Sequence, residues 1–343
     1  MTGARPKLAI ATSFAVTYRN YISACEELGV PYEIFDILSE DWMSFVMSSD
    51  CDGYLLRPPC DIPERKAAYD ERVYFLHKVL GKPIYPGFEE LYLYENKRNM
   101  SYWLQAHGFP HPRTRVFLRK DEALQHLSQR EYPVVLKGNT GSGARRVSIV
   151  RSPFMAGLIA RRVFGFFHPL ATLGYPPSSR VGKRTVPWPQ YGVAQKHCLL
   201  VQDFKEIRWE WRLIKIGDSY FGHKKLLSGK FASGSDSVGW EPPPVELLDL
   251  VRRVTETGGF HSMALDVFET VDGEYLINEI QSLFGSIIES QMFIDGVPGR
   301  FRRVDGEYVF EEGTFNRHGS YLLRVEHFLE LLARGPDRGR TVG

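Results

Sequence analysis

Short apolar runs alternate with stretches of helical period through the first ninety residues. KLAIAT (7–12), PYEIFDI (31–37), DGYLLR (52–57) and KPIYP (82–86) read as strands. Between them, residues 16–29 and 64–80 carry the helical period and stop at Gly29 and Gly81. Strand and helix in alternation predict a small parallel sheet. The first strand runs into SFAVTYRNY rather than G-x-G-x-x-G, so this region lacks the fingerprint of a dinucleotide site and reads as a scaffold.

The pattern changes after residue 94. ENKRNMSYWLQAHG (95–108) predicts a helix, FPHPRTRVF the entry to a strand, and residues 121–129 a second helix. YPVVLKGNTGSGARRVSIV (132–150) predicts two strands joined by a glycine-rich turn. Strands follow at 197–204 and 211–216, with GDS (217–219) turning into YFGHKKL. A helix over 245–259 precedes FHSMALDVFET and EYLINEIQ, two strands joined by VDG (271–273). The last helix lies near 319–334, and 335–343 reads as a flexible tail.

A chain of 343 residues, 43% hydrophobic, has the length for two domains. Its net charge of +2 excludes a chain-wide nucleic-acid coat. The cysteines (25, 51, 60 and 198) form no C-x-x-C pair and no zinc spacing, which points to reduced thiols. No apolar run reaches a membrane span, and the N-terminus does not resemble a signal peptide, so a cytoplasmic protein is expected.

Three segments carry candidate chemistry. In KGNTGSGARRV, Lys137 closes an apolar strand and Gly138, Gly141 and Gly143 let the backbone approach an anion, although the order is not that of a P-loop. Asp266 lies on one strand of the VDG hairpin, and Glu279 and Gln281 lie two apart on the other. Counting from the turn sets Asp266 opposite Asn278 or Glu279, and this oxygen-rich group suits Mg²⁺ or Mn²⁺; alternation aims Asn278 away. In RWEWRLIKI, Glu210 and Arg212 share a strand face, and of Lys224 and Lys225 one is expected to face a cleft and the other solvent.

In this order the elements resemble the ATP-grasp superfamily, most of all its carboxylate–amine ligases: the ribosomal-protein glutamate ligase, glutathione synthetase and D-alanine–D-alanine ligase groups. The resemblance covers about residues 1–330. It implies an α/β pre-ATP-grasp domain over 1–94, then an ATP-grasp domain over 95–334 whose two α+β subdomains, 110–201 and 202–334, clasp ATP. It also implies roles. Lys97 and Lys137 contact the phosphates, with Gly141, Ser142 and Gly143 folding over them. Gln202, Asp203 and Phe204 line the adenine hinge, and Glu210 reaches the ribose or a cation. Arg212 steadies the transferred phosphate, and Asp266, Glu279 and Gln281 hold Mg²⁺ or Mn²⁺. The family's last metal position is usually Asn, where this chain has Gln281.

The activity implied is an ATP- and Mg-dependent ligase that activates a carboxylate as an acyl-phosphate and joins it to an amine. The alternatives are an ATP-grasp kinase and a nucleotide-binding protein without ligase activity. Small-molecule acid and amine substrates are expected, and a homodimer is compatible with the sequence. Between 151 and 202 the chain has Arg151, Arg161, Arg162, Arg180, Lys183, Arg184 and Lys196 and no Asp or Glu. This stretch, Pro/Gly-rich over 169–192, reads as a clamp at 151–196 for an anionic substrate or carrier, or as a solvated loop. Tyr175, Trp188 and Tyr191 within it offer stacking surfaces, but a nucleic-acid partner is not expected.

Overall fold

The computed structural model describes residues 5–12, 16–60, 63–141, 146–165, 196–228, 231–232, 238–284 and 288–335. The first sheet is parallel, in the order β2-β1-β3-β4. It comprises β1 (Leu8–Thr12), β2 (Tyr32–Asp36), β3 (Gly53–Leu55) and β4 (Ile84–Tyr85). β1 is apolar and buried from Leu8 to Ala11 because helices cover both faces of a parallel sheet. α1 (Arg19–Leu28) ends on Gly29 at φ 63°, the left-handed conformation that glycine adopts without a Cβ clash. α2 (Trp42–Ser48), α3 (Pro63–Tyr74, continued by a π turn at Phe75–Val79) and α4 (Phe88–Leu93) complete this layer.

α5 (Lys97–Ala106) leads to an antiparallel sheet ordered β5-β8-β6-β7. Its strands are β5 (Thr114–Phe117), β6 (Val134–Lys137), β7 (Val147–Val150) and β8 (Leu199–Asp203). α6 (Lys120–Ser128) and α7 (Pro153–Val163) cover one side, sharing a core with Val134, Leu136, Leu199 and Val201. The glycine-rich turn joins β6 to β7 in register, Lys137 opposite Val147.

A third sheet is built on β9 (Ile207–Ile216), β10 (Ser219–Lys225), β14 (Ser262–Thr270) and β15 (Tyr275–Gln281). The short β11 (Leu227–Ser228) and β12 (Phe231–Ala232) pair with each other, and β13 (Val238–Gly239) pairs with β10. β16 (Phe293–Ile294), β17 (Val297–Val304) and β18 (Glu307–Glu312) extend the far edge. α8 (Val245–Gly258) packs its apolar face on β9 and β14 with α5. α9 (Tyr321–Arg334) returns to the first sheet, where Tyr321, Val325 and Phe328 join its core. Gly53 permits this approach, since a Cβ there would lie 2.5 Å from the Phe328 ring. Among the described residues no helix is long and apolar enough to cross a membrane.

Candidate active site

The β14–β15 hairpin sets the geometry. Asp266 lies directly opposite Glu279, and on its other side opposite Arg212 of β9. The register then slips: Val267 pairs with Ile277, leaving Asn278 as an extra residue between two pairs. Such a bulge breaks the alternation of a strand and re-aims a side chain. Asn278 therefore reaches the cleft rather than pointing away, which corrects the expectation from strict alternation. Its Oδ1 accepts from Lys137 Nζ at 3.0 Å and its Nδ2 donates to Glu210 Oε2 at 3.0 Å.

Around this point the buried charges alternate in sign. Arg212 donates to both Asp266 oxygens at 2.9 Å, and Lys225 Nζ donates to Asp266 Oδ2 at 2.8 Å and to Glu210 Oε1. Lys97 Nζ lies 3.2 Å from Glu279 Oε1. Burial pushes the Asp266 carboxyl up, but Arg212 and Lys225 more than reverse that and hold it well below the usual range. Glu279 is lowered too, its burial outweighed by Lys97 and Lys137, with the Gln281 side chain hydrogen-bonded to it. Glu210 is shifted upward by burial despite Lys225. Lys137 is lowered to about 8 by burial and by the like charge of Lys97.

Of the two adjacent lysines, Lys225 enters the cleft because it lies opposite Glu210 in the β9–β10 register. Lys224 does not go to solvent as expected. Its ammonium sits 3.8 Å from the centre of the Trp209 ring and pairs with Glu241, which keeps it buried.

The glycine-rich turn is pinned to the start of α5. Lys97 Nζ donates to Gly141 O at 2.7 Å, and Gly141 N–H donates to Glu95 Oε2 at 3.0 Å. The Lys97 and Arg98 backbone N–H groups donate to the Asn139 backbone and side-chain oxygens at 3.0 and 2.8 Å. Glu95 is 3% exposed with φ 52°, a backbone position that a non-glycine residue adopts at a cost. Ser142 and Gly143 lie outside the described residues, as do Arg180, Lys183, Arg184, Tyr175, Trp188 and Tyr191.

A narrow cleft runs between the second and third sheets. Met100, Ser101 and Leu104 of α5 form one wall, Thr114, Leu200 and Gln202 another, and Ile277 and Asn278 the floor, with Lys97 and Lys137 also lining it. Gln202 Nε2 is held by Thr114 Oγ1 at 3.1 Å. Asp203 is the next residue on the strand, and it pairs with Arg130 instead. Phe204 follows β8, half-buried, and does not line the cleft.

The structure thus gathers Lys97, Lys137, Gln202, Glu210, Arg212, Asp266 and Glu279, with Gly141 and Gln281 beside them. Sequence reasoning missed Glu95, Met100, Ser101 and Thr114, and it left Lys225 undecided. Glu95 had one local signal, its place two residues ahead of the lysine that opens α5.

The arrangement of sheets is found in solved structures. D-cycloserine synthetase DcsG superimposes with a TM-score of 0.57 at 15% identity, covering 95% of this chain and 99% of that one. The chain has the ATP-grasp fold. A RimK-domain ATP-grasp protein from Sphaerobacter thermophilus gives a TM-score of 0.52 at 18% identity, over 82% of this chain and 92% of its own. In sequence, this ATP-grasp chain is 23% identical over 275 residues to the α-aminoadipate–LysW ligase LysX of Saccharolobus solfataricus, covering 77% of this chain and 88% of that one. The LysX ligase of Sulfurisphaera tokodaii is 26% identical over 196 residues, 55% of this chain and 59% of its own. No family model matches the chain.

Proposed function

We propose that this ATP-grasp chain is an ATP- and Mg-dependent ligase that joins a carboxylate to an amine. The observation that carries the reading is the continuity of the site. A cleft lined by Met100, Leu104, Leu200 and Ile277 together with polar residues has Lys97 and Lys137 among its lining, and Asn278 leads from there to the ionised Asp266 and Glu279. Mixed apolar and polar walls suit a purine, and buried cations suit a polyphosphate. Residues 1–94 are read as a separate domain preceding the ATP-grasp unit, with α9 returning to cover it.

The donor set fits a hard divalent cation: two carboxylates face each other across paired strands, and the Gln281 amide stands beside them, donating to Glu279. When bound there, Mg²⁺ supplies positive charge against the β- and γ-phosphates. The chain's own residues do the rest. The acid's carboxylate oxygen attacks the γ-phosphorus, the bond to the β-γ bridging oxygen breaks, and ADP leaves. Lys97, Lys137 and Arg212 offset the charge that develops on the transferred group. An amine nitrogen then attacks the acyl carbon, phosphate departs, and the nitrogen loses a proton to give the amide. Water must be kept out between the steps, and we read the glycine-rich turn as the element that does so, with Gly141 bonded to Lys97 and Glu95 at its near end. Gln202 is read as a contact to the adenine edge, beside Asp203 and Phe204.

The named relatives join α-aminoadipate to LysW. For this chain we read the acid-free segment 151–196 as the surface that meets an anionic substrate or carrier. Lys196 serves the fold as well, donating to Arg162 O and Gly165 O at 2.9 Å, where it closes the end of α7.

The test is ADP release with Mg-ATP, a panel of acids and hydroxylamine as the amine. A ligase releases ADP and forms a hydroxamate only when the acid is present. ADP release without hydroxamate, giving a stable phosphorylated product, identifies a kinase instead. Mg-ATP at a hundred times its Kd should raise stability by about 2.7 kcal/mol, and no thermal shift at millimolar Mg-ATP would remove the nucleotide site.

A further inference from the structure

Arg57 stands at the carboxyl end of β3. In the order β2-β1-β3-β4 the chain steps from β1 out to one side, then from β3 to the other, so the winding reverses between β1 and β3. Right-handed crossovers place the flanking helices on opposite faces at such a point, and it is beyond the strand ends there that α/β sheets generally take ligands.

Among the described residues, the side chain at this point is a buried cation paired with no carboxylate. Arg57 is 9% exposed. Its guanidinium donates to the Tyr321 hydroxyl and lies 5.9 Å from that ring's centre. The groups acting on it are Tyr321, Tyr94, Tyr21 and Cys60, and among the described residues no carboxylate pairs with it. Several other buried cations do meet a carboxylate: Lys66 meets Asp70 at 2.5 Å, Lys97 meets Glu279 and Arg212 meets Asp266, whereas the fully buried Arg324 is held by Ser262 Oγ and the Gly319 carbonyl. A second guanidinium, Arg324, lies 4.9 Å from the centre of the same Tyr321 ring. Keeping a charge out of water without a counterion is costly, so such a group is retained where a ligand supplies the anion.

The position connects to the reaction site. Tyr94 lies within the influence of both Arg57 and Glu95, and Glu95 holds the Gly141 amide beside Lys97. Leu283, two residues past Gln281, packs in the same core as Tyr21 and Tyr321. We infer that Arg57 anchors a non-reacting carboxylate of a substrate at the switch point of the first sheet, its planar fork matching two carboxylate oxygens. This rests on the ligase reading above. The carboxylate belongs either to the acid that is activated or to an amino acid that supplies the amine.

The experiment has two arms with wild type, Arg57→Lys, Arg57→Gln and Tyr321→Phe. In the first, glutarate and adipate are compared with pentanoate and hexanoate, using hydroxylamine as the trap. In the second, the best acid is held fixed and L-glutamate is compared with 4-aminobutyrate as the amine. In one arm the wild type shows a KM at least tenfold lower for the compound with the extra carboxylate. Arg57→Gln abolishes that preference, Arg57→Lys keeps part of it, and the KM for Mg-ATP stays within twofold in both. Tyr321→Phe removes the guanidinium's resident acceptor and preserves the preference. Equal KM values within both wild-type pairs would overturn the inference, and this comparison needs no variant to fold. A preference that survives in Arg57→Gln, or vanishes in Tyr321→Phe, would overturn it as well. Failure of the parent reading looks different: no hydroxamate from any acid and no stabilisation by Mg-ATP.

Discussion

Lys137 on β6 and Asn278 on β15 meet at 3.0 Å across 141 positions of sequence, and their contact ties the second sheet to the third. Asn278 also holds Glu210, so one amide orients a cation and a carboxylate that would otherwise face each other through an unfilled gap. The asparagine reaches both because the strand bulges immediately beside Asp266.

Replacing Asn278 by Ala leaves two buried groups each short of a partner. A stability loss of about 1–3 kcal/mol is expected from the unmade hydrogen bonds. It should come with a raised KM for Mg-ATP, because Lys137 loses its fixed position. Urea denaturation and steady-state kinetics check the two parts separately. Unchanged stability would mean that water replaces the amide without cost.

Glu279→Gln is expected to remove ligase turnover while the protein still folds. The amide keeps the shape and can still accept from Lys97, but it cannot supply the negative charge that a divalent cation needs. Circular dichroism together with acid-dependent ADP release makes the check. Wild-type turnover in the variant would confine Glu279 to pairing with Lys97.

Lys137 provides a pH signature, because its pKa is lowered to about 8. Between that value and the ordinary lysine value the unfolded chain binds more protons here than the folded one. This group therefore makes stability rise with pH across that window, with its cost fully present below it. Nucleotide affinity runs the opposite way, since a polyphosphate favours the ammonium form. Titration calorimetry from about pH 7 to about pH 9.5 should show Mg-ATP affinity falling as the pH climbs through the folded value, by up to tenfold per unit. Lys137→Arg, which stays charged, should flatten the curve. An affinity independent of pH in the wild type would place Lys137 outside the phosphate contacts.

The basic segment is tested by neutralising Arg180, Lys183 and Arg184 together. The KM for the acid or the amine should rise, while Mg-ATP binding stays nearly constant, because the phosphate cations proposed here lie elsewhere. Wild-type KM should climb with salt and the triple variant should respond less, as expected for a surface potential screened over about 8 Å at physiological strength. Equal salt sensitivity would mark the segment as a solvated loop.

Much of the fold was legible locally. β1, β6 and β8 are short apolar runs between turn residues, and α1 and α8 end where Gly29 and Gly259 allow a left-handed residue. One hairpin escaped notice although its signal was present. The pentapeptide VDGEY that joins β14 to β15 at 271–275 recurs at 304–308, where it joins β17 to β18 around Gly306 at φ 93°. α2 and α4 are too short to show a helical period of their own.

The sequence alone determined which chemical groups are present and, through strand period and turn length, that Asp266 lies opposite Asn278 or Glu279; the bulged register of the folded hairpin selected Glu279. Those are short-range facts, fixed by a few neighbouring residues. Tertiary structure decided what each charge meets. Whether Lys224 or Lys225 enters the cleft depends on the register of β10 against β9. Asp203 is claimed by Arg130, 73 residues earlier, and Asn278 reaches Lys137 and Glu210 because the β14–β15 pairing slips its register beside Asp266. Arg57 is a basic residue like any other until α9, more than 260 residues on, brings the Tyr321 hydroxyl against its guanidinium. Burial converts a residue's type into an electrostatic demand, and burial is a property of the packed chain rather than of any segment of it.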